Sequence, residues 1–490
     1  MSLTEQRPSA VSAALAEDRL GVPSVVFFVI SAAAPLMVVA GSVPTAYAVT
    51  GVLGVPFAFL LLGAIFALFA VGYVTMARHV VNAGAFYAYA TQGLGRTAGV
   101  ATAWVALLAY NALQLGLYGI IGSAAEPLLR DWFGLSPAWW VIALVAWALT
   151  GVLGLLRVDV NGKVLSVLLV SEIAVVLLFD LGDLLNAAPS GVSFTGFSPG
   201  SLFVPGVGAA LATVVAGFAG FESSVVFAEE SKDRDRTVPV ATYLGIAIIA
   251  ILYAISAWAQ AVPTGPEGVV KAATDQGTGF VFAQAADHLG STVATLGSVL
   301  FMTSSIACMI AFHNTTARYI FALGRENVLP SVFGRTSART AAPVAGSVLQ
   351  TALGLIVIVV YAALGLDPVT KLFFTFGAFG GLGLLTLLAA TSIAVIAYFA
   401  RDSRGETAWR TRVAPALATL ALFVIIGLTL MNFDTVLGVA PDSVLRWILP
   451  SLFVVAIVFG VVWARVLQAT RPEVYANIGL GAQAVGGGRK

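Results

Sequence analysis

From Gly21 to Arg471 the chain is a succession of apolar blocks, each about twenty residues long, the length a helix needs to cross the hydrocarbon of a bilayer. A bilayer interior offers backbone amides and carbonyls no water, so such blocks must satisfy their own hydrogen bonds, as helices do. Reading the blocks between charges, Pro and Gly gives about twelve spans. Their centres fall near Val38, Ile65, Leu108, Leu144, Val170, Val215, Ile249, Val299, Ile356, Leu385, Phe423 and Val455. Composition agrees: 59% of residues are hydrophobic and 10% charged, with a mean hydropathy of +0.96. The expected class is an all-α integral membrane protein.

The charges set an orientation. With the N-terminus in the cytoplasm, only Arg130, Lys271, Lys371 and Arg446 of the 25 Lys and Arg residues fall on the outer side. That asymmetry favours an even number of spans, both termini inside and a multi-pass location in the cytoplasmic membrane. Residues 1–22 read as a cytoplasmic tail with no signal peptide, because no apolar stretch there precedes a small-residue cleavage site. The lone Cys308, inside an apolar span, excludes an intrachain disulfide. A net charge of +1 gives no sign of nucleic-acid binding.

One membrane domain is expected over 23–467, followed by a Gly-rich, disordered cytoplasmic tail over 468–490. The longest outward loop runs from about 263 to 288, and the inward loop 318–343 suits a short interfacial helix stopped at Leu329-Pro330. Two spans are interrupted. The first holds Pro35 at mid-membrane, which removes a donor and frees a carbonyl a turn earlier. The sixth reads Phe218-Ala-Gly-Phe-Glu222 and then leaves the apolar run through a charge cluster. Freed backbone groups at membrane depth are tolerated only against protein or a water-filled cavity. Interruptions at the heads of two five-helix sets suit inverted repeats, about 23–185 and 205–400, with two further helices over 413–467.

Three motifs resemble those of the amino acid-polyamine-organocation superfamily, specifically its bacterial amino acid permeases. Phe218-Ala-Gly-Phe-Glu222, Ala228-Glu-Glu-Ser-Lys232 and Arg236-Thr-Val-Pro239 are similar to its aromatic-x-Gly-aromatic-Glu, Glu-Glu-x-Lys and Arg-x-x-Pro sequence at the sixth helix. Asn82-Ala-Gly-Ala-Phe-Tyr-Ala-Tyr89 resembles Pro-x-Ala-Gly-Gly-x-Tyr-x-Tyr, with Val81 and Ala85 departing from it. Ala317-Arg318 and Arg325-Glu-Asn-Val-Leu-Pro330 resemble Ala-Arg and Arg-Asp-Gly-x-Leu-Pro. In the first span Ala32-Ala-Ala-Pro35 stands where the family often has Gly-x-Gly. The resemblance implies a five-plus-five inverted-repeat (LeuT-type) core plus two helices, and proton-coupled uptake or exchange of amino acids by alternating access. A sodium-coupled symporter, or an exchanger of amino acids or polyamines, is the alternative within this class. An ion or solute channel is the alternative outside it.

A zwitterion needs donors for its carboxylate and acceptors for its ammonium, and half-helices meeting at the midplane provide both from the backbone. Ser31, Ala32, Ala33, Ala34 and Leu36 would offer amides and carbonyls, Pro35 its carbonyl alone. Phe218, Ala219, Gly220 and Phe221 would offer carbonyls, and one of the two phenylalanines either lids the substrate or packs in the core. The apolar spans contain the carboxylates Glu172 and Glu222, each costing at least ~2.5 kcal/mol at such depth, so each is a candidate coupling or gating residue. For Glu222 the competing reading is an acceptor for neighbouring amides. In proton-coupled relatives the fifth helix commonly bears a lysine, and none lies this deep here. Thr303-Ser304-Ser305 ahead of Cys308 could place Ser304 and Ser305 on a sodium ion, or bond their own backbone. Asn111 and Gln114, with Tyr110 and Tyr118, form a stripe that either reads a substrate side chain or joins helices. His79, His288 and His313 read as lying on loops or span ends without metal-ligand spacing, and no cofactor is expected. Lys232, Arg234 and Arg236 alternate with Asp233 and Asp235 and read as a salt-bridged cytoplasmic gate or a helix end, not a nucleic-acid patch. No phosphate-binding glycine loop is present, which argues against a primary pump, and no triad or metal cluster supports a membrane enzyme.

Overall fold

The computed structural model describes residues 21–80, 85–155, 162–226, 231, 233–337 and 342–480. Residues 82–84, 157, 228–230, 232 and 339, which carry parts of the motifs and charges above, lie outside the described residues, as do both chain ends. Each expected centre falls inside a helix. Among the described residues, nine helical segments are long and apolar enough to cross a membrane: Val22–Thr50, Val55–His79, Arg96–Phe133, Arg234–Ala261, Ser291–Arg325, Val344–Ala363, Pro368–Arg401, Trp409–Met431 and Val444–Thr470. Trp139–Leu155, Gly162–Leu185 and Val207–Gly217 complete the twelve, and below they are the fourth, fifth and sixth spans. An even count puts both ends of the series on one face, here the terminal face; the other is the far face.

Of these nine, the third span is the most enclosed, with 89% of its apolar window buried, whereas the twelfth has 22% and turns most of its Val and Ile side chains outward. A helix apolar all round belongs inside a bundle or against lipid, and these two take the opposite choices. Small residues set the closest approaches, as membrane helices without a strong solvent drive require. Gly63 of the second span lies against Ala250 of the seventh, and Gly381 of the tenth against the Ala212 carbonyl of the sixth.

Both breaks are present. The first span stops at Ala33, passes through Ala34 in the left-handed region (φ 46°, ψ 71°), restarts at Pro35 and runs through a π-helical turn, Val38–Ser42, to Thr50. The sixth stops at Gly217, turns at Gly220 (φ 116°) and resumes as Ser223–Val226. The two breaks touch: a Cβ on Gly220 would stand 2.8 Å from the Ala32 Cβ and 3.2 Å from the Ala33 nitrogen.

Three expectations about connections need correction. The outward loop 263–288 is two helices, Pro266–Gln276 and Phe280–Leu289. The inner segment 318–343 begins inside the eighth span, because buried Ala317, Ile320, Leu323 and Gly324 continue its apolar face to Arg325; beyond it lies only a 3₁₀ turn, Ser331–Gly334, among the described residues. The tail is ordered as far as Leu480. Pro472–Asn477 is helical, Ile478 is buried, and the Gly479 N–H donates to Glu326 Oε2 at 2.9 Å. Tyr475 anchors it through its hydroxyl, 3.0 Å from Thr97 Oγ1. An additional buried helix, Ala85–Leu94, follows the second span and bonds Glu326 through the Tyr87 hydroxyl.

Candidate functional site

Leaving the helix at Gly220 exposes amides that need acceptors at membrane depth, and the chain provides one two residues on. Glu222 Oε2 accepts from the Gly220 N–H at 2.9 Å, and Oε1 accepts from the Tyr110 hydroxyl at 2.6 Å. The Glu222 carbonyl accepts from the Tyr73 hydroxyl at 3.0 Å. Second, third and sixth spans are thereby joined at the terminal-face side of the break. Ser223 Oγ closes the turn on the Gly220 carbonyl at 2.6 Å. Of the roles weighed for Glu222, acceptor to a neighbouring amide is the bond the structure contains. Phe218 and Phe221 are fully buried; Phe218 packs on Phe59 and Phe66, and Phe221 on Phe66 and Phe69 of the second span. Packing is what their rings do in this conformation.

The first break is satisfied differently, by groups from other spans. The Ala34 N–H returns to the Ser31 carbonyl at 3.2 Å, and the Val38 N–H reaches the Ala34 carbonyl at 3.1 Å. The Ala33 carbonyl accepts from the Tyr253 hydroxyl at 2.9 Å, and the Val39 carbonyl from Gln260 Nε2 at 2.8 Å. The Leu36 N–H, freed because Pro35 restarts the helix, faces the carboxylate of Glu172. Glu172 also accepts from the Ser304 hydroxyl at 2.7 Å. A fifth-span carboxylate thus sits at the amide end of the break, held by a hydroxyl of the eighth. Ser305 Oγ and Ser31 Oγ are buried without a hydrogen-bond partner.

Beside the breaks is a cavity of about 30 Å³, walled by Met37 and Val38 of the first span, Leu113 of the third, Thr213 and Ala216 of the sixth, Phe312 of the eighth, and Phe373 and Phe374 of the tenth. Five spans converge on it. Its volume is far below the ~300–1,000 Å³ of sites that hold small molecules, so these walls must part to admit a solute. The tenth-span wall is a π-helical turn, Pro368–Phe374, capped by Asp367 on the Val369 and Thr370 amides at 3.0 and 2.6 Å.

The third-span stripe divides. Tyr110 belongs to the Glu222 clamp, and its ring stands 6.3 Å from that of Phe312. Asn111 Nδ2 bonds the Leu107 carbonyl at 2.7 Å, and its Oδ1 is buried without a partner. Gln114 takes the interhelical role: it bonds Tyr118, Gln350 and His313, whose other nitrogen is 2.7 Å from Ser347 Oγ. This corrects the position of His313, which lies within the eighth span and is buried rather than at a span end. The tally of buried carboxylates is corrected too. Asp180 and Asp183 are buried in the fifth span with Glu172, because that helix runs on to Leu185 and the seventh span and the helix Phe280–Leu289 pack over its end.

The basic cluster behaves as a helix end. Asp233 caps the seventh span on the Arg236 N–H at 3.3 Å, and Arg234 bonds the Arg78 carbonyl at 3.2 Å. Groups that sequence reading passed over are Tyr73, Thr213, Tyr253, Gln260, Phe312, Phe373 and Phe374. One signal was present: Tyr253, Ser256 and Gln260 recur at helical spacing in an otherwise apolar seventh span. Among the described residues no group of three or more His, Cys, Asp or Glu could hold a metal ion.

Residues 20–464 match the amino acid permease family. Across 326 residues, 65% of this chain and 67% of the relative, it is 26% identical to the low-affinity putrescine importer PlaP of Escherichia coli strain K12. It is 24% identical to the aspartate-proton symporter of Bacillus subtilis strain 168 across 61% of this chain and 59% of that protein. A shorter match, 27% identity over 35% of this chain and 29% of the relative, is to cationic amino acid transporter 7, chloroplastic, of Arabidopsis thaliana. With broken first and sixth spans meeting beside a small cavity, and a family match over nearly its whole length, the chain belongs to the amino acid permease family of the amino acid-polyamine-organocation superfamily, a multi-pass helical membrane transporter.

Proposed function

We propose that the protein is a proton-coupled symporter of amino acids in the cytoplasmic membrane, with both termini in the cytoplasm and Glu172 as the group that carries the proton. The observation behind this reading is the place of Glu172, held by the Ser304 hydroxyl at 2.7 Å with its carboxylate facing the Leu36 amide. That amide is the donor an α-carboxylate would use at the first break, and an ionised Glu172 competes for it. A proton on Glu172 removes the competing negative charge and releases the amide to the substrate. Proton and substrate therefore load together, and both leave when the broken pair rearranges towards the cytoplasm. The sixth-span carbonyls around Phe218 and Ala219 hold the ammonium, while Asn111, whose Oδ1 is buried without a partner, is the third-span acceptor for a substrate side chain. Glu222 fixes the sixth break instead of exchanging a proton.

The relative named as an aspartate-proton symporter supports the choice of ion and substrate, and the one named as a putrescine importer makes a diamine the competing substrate. Orientation rests on the Lys and Arg distribution. One observation favours sodium as the alternative ion: the unpartnered Ser305 Oγ beside Ser304. Uptake by proteoliposomes under imposed proton or sodium gradients separates the two.

The substrate class is tested by competition binding with the best-bound amino acid, its decarboxylated amine and its deaminated acid. Losing either pole leaves a buried partner unmatched, so both analogues should compete roughly tenfold more weakly or worse, about 1.4 kcal/mol. Equal competition by the amine would overturn the carboxylate role of Leu36 and move the substrate to the diamines.

A further inference from the structure

Two carboxylates of the fifth span play no part in the scheme above. Asp180 is 5% exposed and Asp183 3%. They follow Glu172 by eight and eleven residues, which keeps all three towards one side of the helix and puts the aspartates about 12 and 17 Å nearer the far face. The seventh span packs on the fifth and presents Tyr253, Ser256 and Gln260 along one stripe. Ser256 donates to Asp180 Oδ2 at 2.8 Å. Tyr253, one turn inward, bonds the Ala33 carbonyl at the first break and lies within electrostatic reach of Glu172.

At the far-face end the helix Phe280–Leu289 lays across this seam. His288 Nδ1 is 2.9 Å from Asp183 Oδ1, and its side chain is 14% exposed against 4% for the aspartate. Gln284, one turn earlier, bonds the Gln260 carbonyl at 3.1 Å. The side-chain oxygens of Gln260 and Gln284 are buried without a hydrogen-bond partner, each one turn from a residue that bonds an aspartate. The other titratable groups facing the seam are Tyr253, Cys308 of the eighth span, which neighbours both Glu172 and Tyr253, and the exposed Asp287 beside His288. No Lys or Arg is paired with Asp180 or Asp183 among the described residues.

Two carboxylates three residues apart in a membrane helix, without a fixed cation, are costly as scaffolding, which Asn and Ser would provide more cheaply. They suit groups that take and pass protons, and the imidazole at the wet end has two ring nitrogens through which a proton can enter and leave. We infer that the seam between the fifth and seventh spans is the route by which the coupling proton reaches Glu172 from the far face. His288 takes a proton from solution on Nε2 and gives its Nδ1 proton to Asp183. The proton passes to Asp180, then through the hydroxyls of Ser256 and Tyr253, each releasing one proton as it gains one, and ends on Glu172. Only O–H and N–H bonds change, one proton moves, and His288 regains its starting tautomer by exchange with solution.

This inference rests on proton coupling at Glu172, so the test separates the two. Full-length protein is reconstituted in vesicles holding the pH dye pyranine, and a standard radiolabelled amino-acid mixture plus putrescine is added outside under an inward proton gradient. Dye and label report proton and substrate influx, and counterflow at equal pH reports the carrier cycle without net proton movement. Asp183→Asn, Asp180→Asn and His288→Gln should each lower substrate-dependent proton influx and gradient-driven uptake roughly tenfold or more and shift their dependence on external pH, with counterflow at the wild-type rate. Asp183→Glu should restore influx. Wild-type influx and pH profile in the Asn variants, or equal loss of influx and counterflow, would overturn the route while leaving Glu172 as the coupling site. If an aspartate variant fails to fold, His288→Gln carries the same expectation on a side chain at the rim. A wild-type protein that exchanges substrate but moves no proton would overturn the coupling itself, and the route with it.

Discussion

The two broken helices meet at the same depth and yet are held open by opposite means. The sixth closes on itself: Gly220 adopts a φ of 116° that glycine tolerates, and the carboxylate two residues later accepts the Gly220 amide. The first break forces Ala34 into the left-handed region at φ 46° and hands its loose groups to Glu172, Tyr253 and Gln260, more than a hundred residues away. A break whose freed amide is accepted two residues on carries that bond with it when neighbouring spans shift, even though Tyr110 and Tyr73 also hold Glu222. One satisfied from other spans can be remade when those spans move or when a partner changes charge. The sixth break is thus suited to be the fixed side of the site and the first to be the side that responds.

The largest effect should follow from attacking the fixed side. Gly220→Val adds a Cβ 2.8 Å from that of Ala32 at a φ disfavoured for L-residues. Strain and overpacking of about 3 kcal/mol or more should abolish transport and lower the apparent Tm of the purified protein. A variant with normal Tm and uptake would show that the two backbones do not need this contact.

Next in size is the exchange of roles between the two carboxylates. Glu172→Gln should reduce gradient-driven uptake on the order of a hundredfold while counterflow persists, because a neutral amide cannot carry the proton. Glu222→Gln should instead lower stability by about 1–3 kcal/mol through weakened bonds to Gly220 and Tyr110, with the pH dependence of uptake retained. Uptake of both variants across external pH, beside their melting curves, decides it. If Glu222→Gln uncouples and Glu172→Gln does not, the fixed and responsive sides are interchanged.

Smallest is the relief of Ala34. Glycine meets no Cβ penalty at that φ, so Ala34→Gly should raise stability by about 1 kcal/mol or less, read as a modest rise in Tm. A fall would mean that the methyl group's packing, with Ala34 2% exposed, outweighs the strain it imposes.

Membrane class, twelve spans and both interruptions were legible because their signals are local. A block of about twenty apolar residues needs no knowledge of its neighbours, and Pro35 and Gly220 disturb their own turns wherever the helices pack. Glu172, Glu222, Ser304, Asn111 and Gln114 were legible as costly polar groups at membrane depth, but only as alternatives. Choosing among them required partners far along the chain: Tyr110 for Glu222, the Leu36 amide and Ser304 for Glu172, His313 and Gln350 for Gln114. Asp180 and Asp183 escaped because carboxylates near an expected span end look solvated until the seventh span and the helix Phe280–Leu289 close over them. The tail after Arg471 escaped because its docking depends on Glu326 and Thr97, residues brought beneath it only by the bundle. By itself the sequence determined that the chain lies in a membrane as helices and where two of them must break, since hydrophobicity and backbone stereochemistry act within a turn. Which partners each buried carboxylate meets, Gly220 and Tyr110 for Glu222 and Ser304 for Glu172, was decided by tertiary structure alone, since a charge in a low-dielectric interior takes its character from whatever donor packing puts within three ångströms of it.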